Sequence, residues 1–140
     1  DTLSTKIAID YMLENELGDL EQPPRWVDGS GLSRYNLFTP KSFVQILQKL
    51  YMEIPEERLF ALFPMWDASG TLKNWMDPSI EPFIFAKSGS LGNNYNLSGY
   101  LKTKSGKWLI FSFMNNHFQI PTSQIRNTIY TTLKALHDSY

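Results

Sequence analysis

The chain has no cysteine and only two histidines in 140 residues. The first absence excludes disulfides and any thiolate metal site, although it does not identify the compartment. His117 and His137 lie twenty residues apart, with neither a carboxylate nor a second histidine at ligand spacing, so no metal or other cofactor is expected. Neither sign of charge dominates: 13 Lys and Arg against 14 Asp and Glu leave a formal net charge of −1. A field of that size recruits neither nucleic acid nor an anionic membrane. No apolar run is long enough to form a transmembrane segment. No internal repeat or low-complexity tract is visible. A signal-peptide pattern is also missing and the first residue is Asp1, which predicts a processed product or a fragment.

What is present is globular. Hydrophobic residues make up 42% of the chain and aromatic residues 14%, enough for one well-filled domain over residues 1–140. Leu3, Ile7 and Tyr11, with Ala8 and Met12, recur at helical spacing before Gly18 as a stop. Pro23-Pro24 leads in extended form to Trp26-Val27 and the loop Asp28-Gly29-Ser30-Gly31-Leu32-Ser33-Arg34. Thr39-Pro40 is an N-cap followed by proline at the first helical position, opening a helix whose stripe is Phe43, Ile46, Leu47, Leu50 and Tyr51. Pro55-Glu56-Glu57 starts a shorter helix through Phe63, and residues 64–82 read as an ordered excursion without a period.

The pattern then turns to strands: Phe83–Lys87, Asn96–Thr103 and Lys107–Asn115, the last two joined by Lys104-Ser105-Gly106. Trp108-Leu109-Ile110-Phe111 is apolar on both faces, so the sheet should be covered on both sides. Lys102, Lys104 and Lys107 at the hairpin tip read as a solvated edge guarded against pairing. Glu14, Glu16, Asp19 and Glu21 read as a solvated helix end. Pro121-Thr122-Ser123 begins a last helix, with Ile125, Ile129, Leu133 and Leu136 facing inward. Helices, then a three-strand antiparallel meander, then a C-terminal helix predict an α+β fold.

The chemistry gathers at Phe85-Ala86-Lys87-Ser88-Gly89-Ser90-Leu91. A Lys-Ser-Gly tripeptide late on a strand can serve a carboxylate: the ammonium supplies charge and the hydroxyl a charge-assisted hydrogen bond. On its own such a tripeptide is common, and its plain reading is a solvated edge strand ending in a turn. Here it stands some fifty residues after the Asp28–Arg34 block and just before Asn96-Leu97-Ser98-Gly99-Tyr100. Together the three blocks resemble the C-terminal part of the low-molecular-mass class C penicillin-binding D-alanyl-D-alanine carboxypeptidases. In that superfamily a Lys-Thr-Gly box is the third active-site signature, here with serine in place of threonine.

The resemblance implies a fragment of the β-lactamase/transpeptidase-like fold, its antiparallel sheet flanked by helices. It implies that Lys87 and Ser88 bind the substrate carboxylate, Lys87 as the catalytic-site cation. Gly89 would give clearance for the helix bearing the nucleophile, and Ser90 would contribute a backbone N–H to the oxyanion hole. Ser33 and Arg34 would line the same cleft; their plain reading is a rigid glycine turn ahead of the Thr39-Pro40 helix. The implied parent is a periplasmic serine peptidase, a carboxypeptidase or endopeptidase, acting on peptidoglycan stem peptides and acylated by β-lactams.

Two signatures are missing. No serine is followed by lysine at the third position, and no Ser-x-Asn occurs; Ser33 has Tyr35 where asparagine is needed. In the family both motifs precede the Asp-Gly-Ser-Gly block, and fewer than thirty residues do so here. The chain taken alone is therefore expected to be catalytically inactive and, lacking the surface it would normally meet, to self-associate. The competing expectation is a stand-alone, non-catalytic module that binds peptidoglycan or a partner. One departure is local: Pro64-Met65-Trp66-Asp67-Ala68-Ser69-Gly70-Thr71-Leu72 has Asp67 where the family carries a glycine.

Overall fold

The computed structural model describes residues 4–63 and 81–140. The Pro64–Leu72 run with its Asp67, most of the 64–82 excursion, and Leu3 of the first helix lie outside the described residues. The elements are helix α1 (Thr5–Tyr11), a π-helical turn (Met12–Glu16), α2 (Pro40–Glu53), α3 (Glu56–Ala61), strands β1 (Ile84–Leu91), β2 (Asn94–Lys102) and β3 (Trp108–Asn116), and α4 (Thr122–Ser139). The fold is α+β, a three-strand antiparallel meander in the order β1-β2-β3.

Local chemistry sets the element boundaries. The Thr39 hydroxyl accepts from the Ser42 N–H at 3.1 Å and Pro40 occupies the first turn of α2, so no helical donor is lost to the ring. Ser42 is buried, and its hydroxyl donates to the Gln22 carbonyl at 2.7 Å, fixing the incoming segment against the helix. The first helix is not a uniform α-helix. Ser4 caps it, and beyond Tyr11 it widens so that the Leu17 N–H reaches the Met12 carbonyl at 2.8 Å. The acids beyond that turn are not merely solvated: Asp19 accepts from Lys49 Nζ at 2.8 Å and Glu21 pairs with Lys41, tying this segment to α2.

The sheet is covered on both faces, because period-two alternation sends neighbouring residues to opposite sides. Toward α4 lie Ile84 and Ala86 of β1 and Tyr95, Leu97 and Leu101 of β2, packed with Ile129 and Leu133. Ile125 and Leu136 complete the inward stripe of α4 at its margin. Toward α2 and α3, Tyr100 joins Leu47 and Leu59 with Trp108 and Ile110 beside them. The Phe60 ring stacks on Trp108 at 4.1 Å and meets Phe85 at 4.9 Å.

Two strand limits depart from expectation. β1 does not stop at Lys87 but runs on to Leu91, and β2 begins at Asn94, joined by the two-residue turn Gly92-Asn93 with Asn93 at φ 59°. Ser88, Gly89 and Ser90 are poor strand formers, yet each has a partner in the ladder (Leu97, Asn96 and Tyr95), and pairing overrides propensity. The β2–β3 hairpin tip is also more than a guarded edge. The Lys104 and Ser105 N–H groups donate to the carbonyls of His137 and Tyr140, both at 3.0 Å, and Lys104 pairs with Asp138 at 2.8 Å. The tip thus satisfies the open carbonyls at the end of α4.

Candidate active site

The Asp28–Arg34 block is held as a closed loop. Arg25 and Leu37 pair across its neck, with N···O distances of 2.9 and 2.7 Å in the two directions. Within the neck, the Asn36 side-chain carbonyl accepts from the N–H groups of Val27 (2.9 Å) and Asp28 (3.2 Å). Asp28 Oδ1 accepts from the Ser30 N–H at 2.9 Å, the Ser30 hydroxyl at 2.8 Å and the Gly31 N–H at 3.2 Å. These donors, the Ser30 hydroxyl foremost, hold the Asp28 carboxyl below the usual carboxylate range. Gly31 sits at φ 75°, a left-handed conformation that glycine adopts without strain. The Ser33 hydroxyl accepts from the Tyr35 N–H at 3.2 Å and steadies the turn into Asn36.

This loop faces the open end of the sheet across a cavity of about 810 Å³. Gly29, Gly31, Ser33, Arg34 and Asn36 form one wall; Gly89, Ser90 and Leu91 of β1, with Asn94, Asn96, Met114 and Asn116, form the opposite one. Phe43, Ile46, Lys49, Leu50 and Glu53 of α2 make the floor, and Met12, Glu16 and Leu17 close the side. Arg34 reaches across: its Nη2 lies 3.5 Å from where a Cβ on Gly92 would stand, against the β1–β2 turn. Among the described residues, space beside Gly89 is open, since a Cβ built there meets none of their atoms within 4 Å. Asp19 keeps Lys49 protonated, raising its pKa mainly through their hydrogen bond, so the floor carries a fixed cation.

Four of the six residues singled out from sequence therefore meet at one cavity: Ser33, Arg34, Gly89 and Ser90. Lys87 and Ser88 are not among its lining residues. Lys87 is exposed, on the Phe85 side of the sheet, and its Nζ donates to the Ser88 carbonyl at 2.6 Å. Sequence reasoning did not single out Asn36, Asn94, Asn116 or His117 as cavity residues. The run from Arg34 to Asn36 adjoined a block already under suspicion and was the one available signal. His117, at φ 57°, donates its N–H to Asn94 Oδ1 at 3.4 Å and closes the far end of the lining.

A loop built on Asp-Gly-Ser-Gly facing a Lys-Ser-Gly strand across one cavity invites comparison with known proteins. The profile of the D-Ala-D-Ala carboxypeptidase 3 (S13) family matches residues 22–136. The chain belongs to that family. It is 33% identical over 94 residues to D-alanyl-D-alanine carboxypeptidase DacB of Haemophilus influenzae, a match covering 64% of this chain and 20% of that enzyme. It is 35% identical over 78 residues to penicillin-sensitive carboxypeptidase A of Dictyostelium discoideum, covering 54% of this chain and 15% of the relative.

Among solved structures, penicillin binding protein 4 (dacB) of H. influenzae, in complex with a β-lactam, superposes with a TM-score of 0.75 at 26% identity, over 91% of this chain and 32% of its own. The predatory endopeptidase Bd3459 of Bdellovibrio bacteriovorus shares the fold with a TM-score of 0.67 at 16% identity, over 96% of this chain and 39% of its own. The S13 chain described here thus spans a fifth or less of its curated relatives and about a third of penicillin binding protein 4. Among its described residues, no helix is long and apolar enough to cross a membrane.

Proposed function

We propose that this chain is the carboxylate-binding wall of a serine-type D-Ala-D-Ala peptidase, a carboxypeptidase or endopeptidase of peptidoglycan stem peptides. The nucleophile and its lysine, like the Ser-x-Asn residues, would come from further sequence of the whole protein. The observation that carries the reading is the shared cavity: Gly89 and Ser90 of the Lys-Ser-Gly strand face Ser33 and Arg34 of the Asp-Gly-Ser-Gly loop. The open space beside Gly89 leaves room for a nucleophile-bearing helix to approach. Lys87 and Ser88, one step up the strand, would hold the terminal carboxylate, and the Ser90 N–H would face the developing oxyanion.

On this reading Lys87 leaves its bond to the Ser88 carbonyl and turns toward the substrate when the site is complete. The whole enzyme would work in the periplasm, be acylated by β-lactams, and need no metal or organic cofactor. This chain alone would bind no covalent inhibitor.

The test is Lys87→Ala in the whole protein. It should lower kcat/KM for a carboxylate-ended D-Ala-D-Ala peptide by about 10- to 100-fold, the loss expected for a charged hydrogen-bond partner. The same peptide with its C-terminus amidated should respond far less. Unchanged kinetics on the carboxylate substrate would remove Lys87 from the site. A second reading, a non-catalytic peptidoglycan-binding module, draws on the clean absence of both serine signatures from these 140 residues. Titrating the chain with a D-Ala-D-Ala peptide separates the two: saturable binding favours the module, and none favours a half-site.

A further inference from the structure

Three polar residues of β2, Asn94, Asn96 and Ser98, share one face of the sheet through the alternation of a strand. Two of them are paired. Asn94 Oδ1 accepts from the His117 N–H at 3.4 Å, and the Ser98 hydroxyl lies 2.8 Å from that of Ser112. Asn96 Oδ1, between them, is buried and has no hydrogen-bond partner among the described residues. Strand register gives the reason. Its neighbours across the ladder are Gly89 of β1, which has no side chain, and Met114 of β3, whose thioether donates nothing. Asn96, Gly89 and Met114 all line the cavity. A buried acceptor left unpaired costs stability, and native proteins pair nearly all of them.

We propose that Asn96 is a positioning residue for the nucleophile: its carboxamide oxygen takes a hydrogen bond from the segment that carries the Ser-x-x-Lys signature. This rests on the reading of the chain as one wall of a serine peptidase. Gly89 leaves the gap through which that segment approaches, and Asn96 stands next to the gap in the ladder. A turn about the terminal torsion of Asn96, a soft one, swings the oxygen over Gly89. A helix that opens on a nucleophilic serine carries unpaired backbone N–H groups in its first turn, the kind of donor this oxygen lacks. One such bond sets the depth at which the helix seats against β1. It thereby sets where the serine hydroxyl stands relative to the Ser90 N–H.

The expected mark of this role is a reversal of sign. In this chain alone, Asn96→Leu removes an unpaired acceptor, whereas Asn94→Leu breaks a bond on the same strand and face. Asn96→Leu should therefore raise the urea midpoint by more than Asn94→Leu does. In a longer protein that supplies the Ser-x-x-Lys segment, Asn96→Leu should instead lower the midpoint and slow acylation by a β-lactam about tenfold. Because the serine is displaced and not the substrate, carboxylate-ended and amidated peptides should lose kcat alike with KM little changed, unlike the effect of Lys87→Ala. Asn96→Ala, too small to overpack, should slow acylation likewise. An Asn96→Leu chain less stable than Asn94→Leu overturns the proposal. So does an effect of one sign in both proteins, or acylation of either Asn96 variant at the wild-type rate. If the longer wild-type protein is not acylated at all, the peptidase reading falls, and the sign comparison still decides whether Asn96 takes its partner from that segment.

Discussion

A Cβ on Gly99 would lie 2.2 Å from the Phe85 carbonyl oxygen and 2.6 Å from the Ala86 Cα, both backbone atoms of the neighbouring strand. Neither atom can move without opening the β1–β2 ladder. Gly99→Ala should therefore cost about 2–4 kcal/mol in urea unfolding, at the severe end of overpacking. Gly89→Ala, where the new methyl meets no described residue within 4 Å, should stay within about 0.5 kcal/mol of wild type. If both variants lose equal stability, the steric account of Gly99 is wrong. Tyr100, one residue on, gives a prediction in pH. Its hydroxyl donates to the Leu47 carbonyl at 2.7 Å, and burial pushes the phenol from 10.0 up to about 12. A pKa raised by folding means stability fully present below pH 10.0 that is lost as pH climbs toward about 12. Tyr100→Phe should flatten that alkaline loss in a Tm-versus-pH series while costing about 1 kcal/mol near neutrality. A variant that keeps the full alkaline slope would assign the loss to other groups.

The end of α4 and the β2–β3 tip form a unit that couples two elements. Asp138 accepts from Lys104 at 2.8 Å and from Lys134 at 2.9 Å, and these bonds, Lys104 first, draw its carboxyl from 3.8 down to about 2. A depressed carboxylate contributes stability above pH 3.8 that fades as pH falls toward about 2. The carboxylate is exposed, so the effect should be small, weaken at high salt, and disappear from the acid limb of Asp138→Asn. An acid limb unaltered by that substitution would show that the pairs do not survive in solution. At this scale the sequence was largely legible. Thr39-Pro40, the apolar stripe of α2, the two-faced β3 and the inward stripe of α4 each follow from a local rule. The run of β1 to Leu91 does not, because Ser88-Gly89-Ser90 becomes strand through its β2 partners. The capping role of the hairpin tip was equally hidden, since it joins residues more than thirty positions apart. Of the cavity, the Asp28–Arg34 and Gly89-Ser90 walls were readable as motifs, whereas Asn94, Asn116 and His117 reach it only through strand register.

Burial is distributed unevenly over the whole molecule, and that sets which parts should open first. β2 is flanked on both edges and covered on both faces, with Leu97, Tyr100 and Leu101 fully buried. α1 buries only Ile9, while Ile7 and Tyr11 of the same stripe are 57% and 58% exposed. Its apolar period foretold a helix correctly, yet period alone does not show whether a partner lies on that face. Opening α1 uncovers almost nothing, so its amides should exchange through local fraying, whereas those of β2 need global unfolding. Native-state hydrogen exchange should therefore place β2 with α4 at the slow limit and α1 several kcal/mol below it, insensitive to substitutions such as Gly99→Ala that lower global stability. In any longer protein that contains this chain, α1 should rise toward the slow limit if other parts of that protein cover Ile7 and Tyr11. Should α1 already be as protected as β2 in this chain, its stripe must be buried in solution, and the picture of an open helix beside the cavity fails.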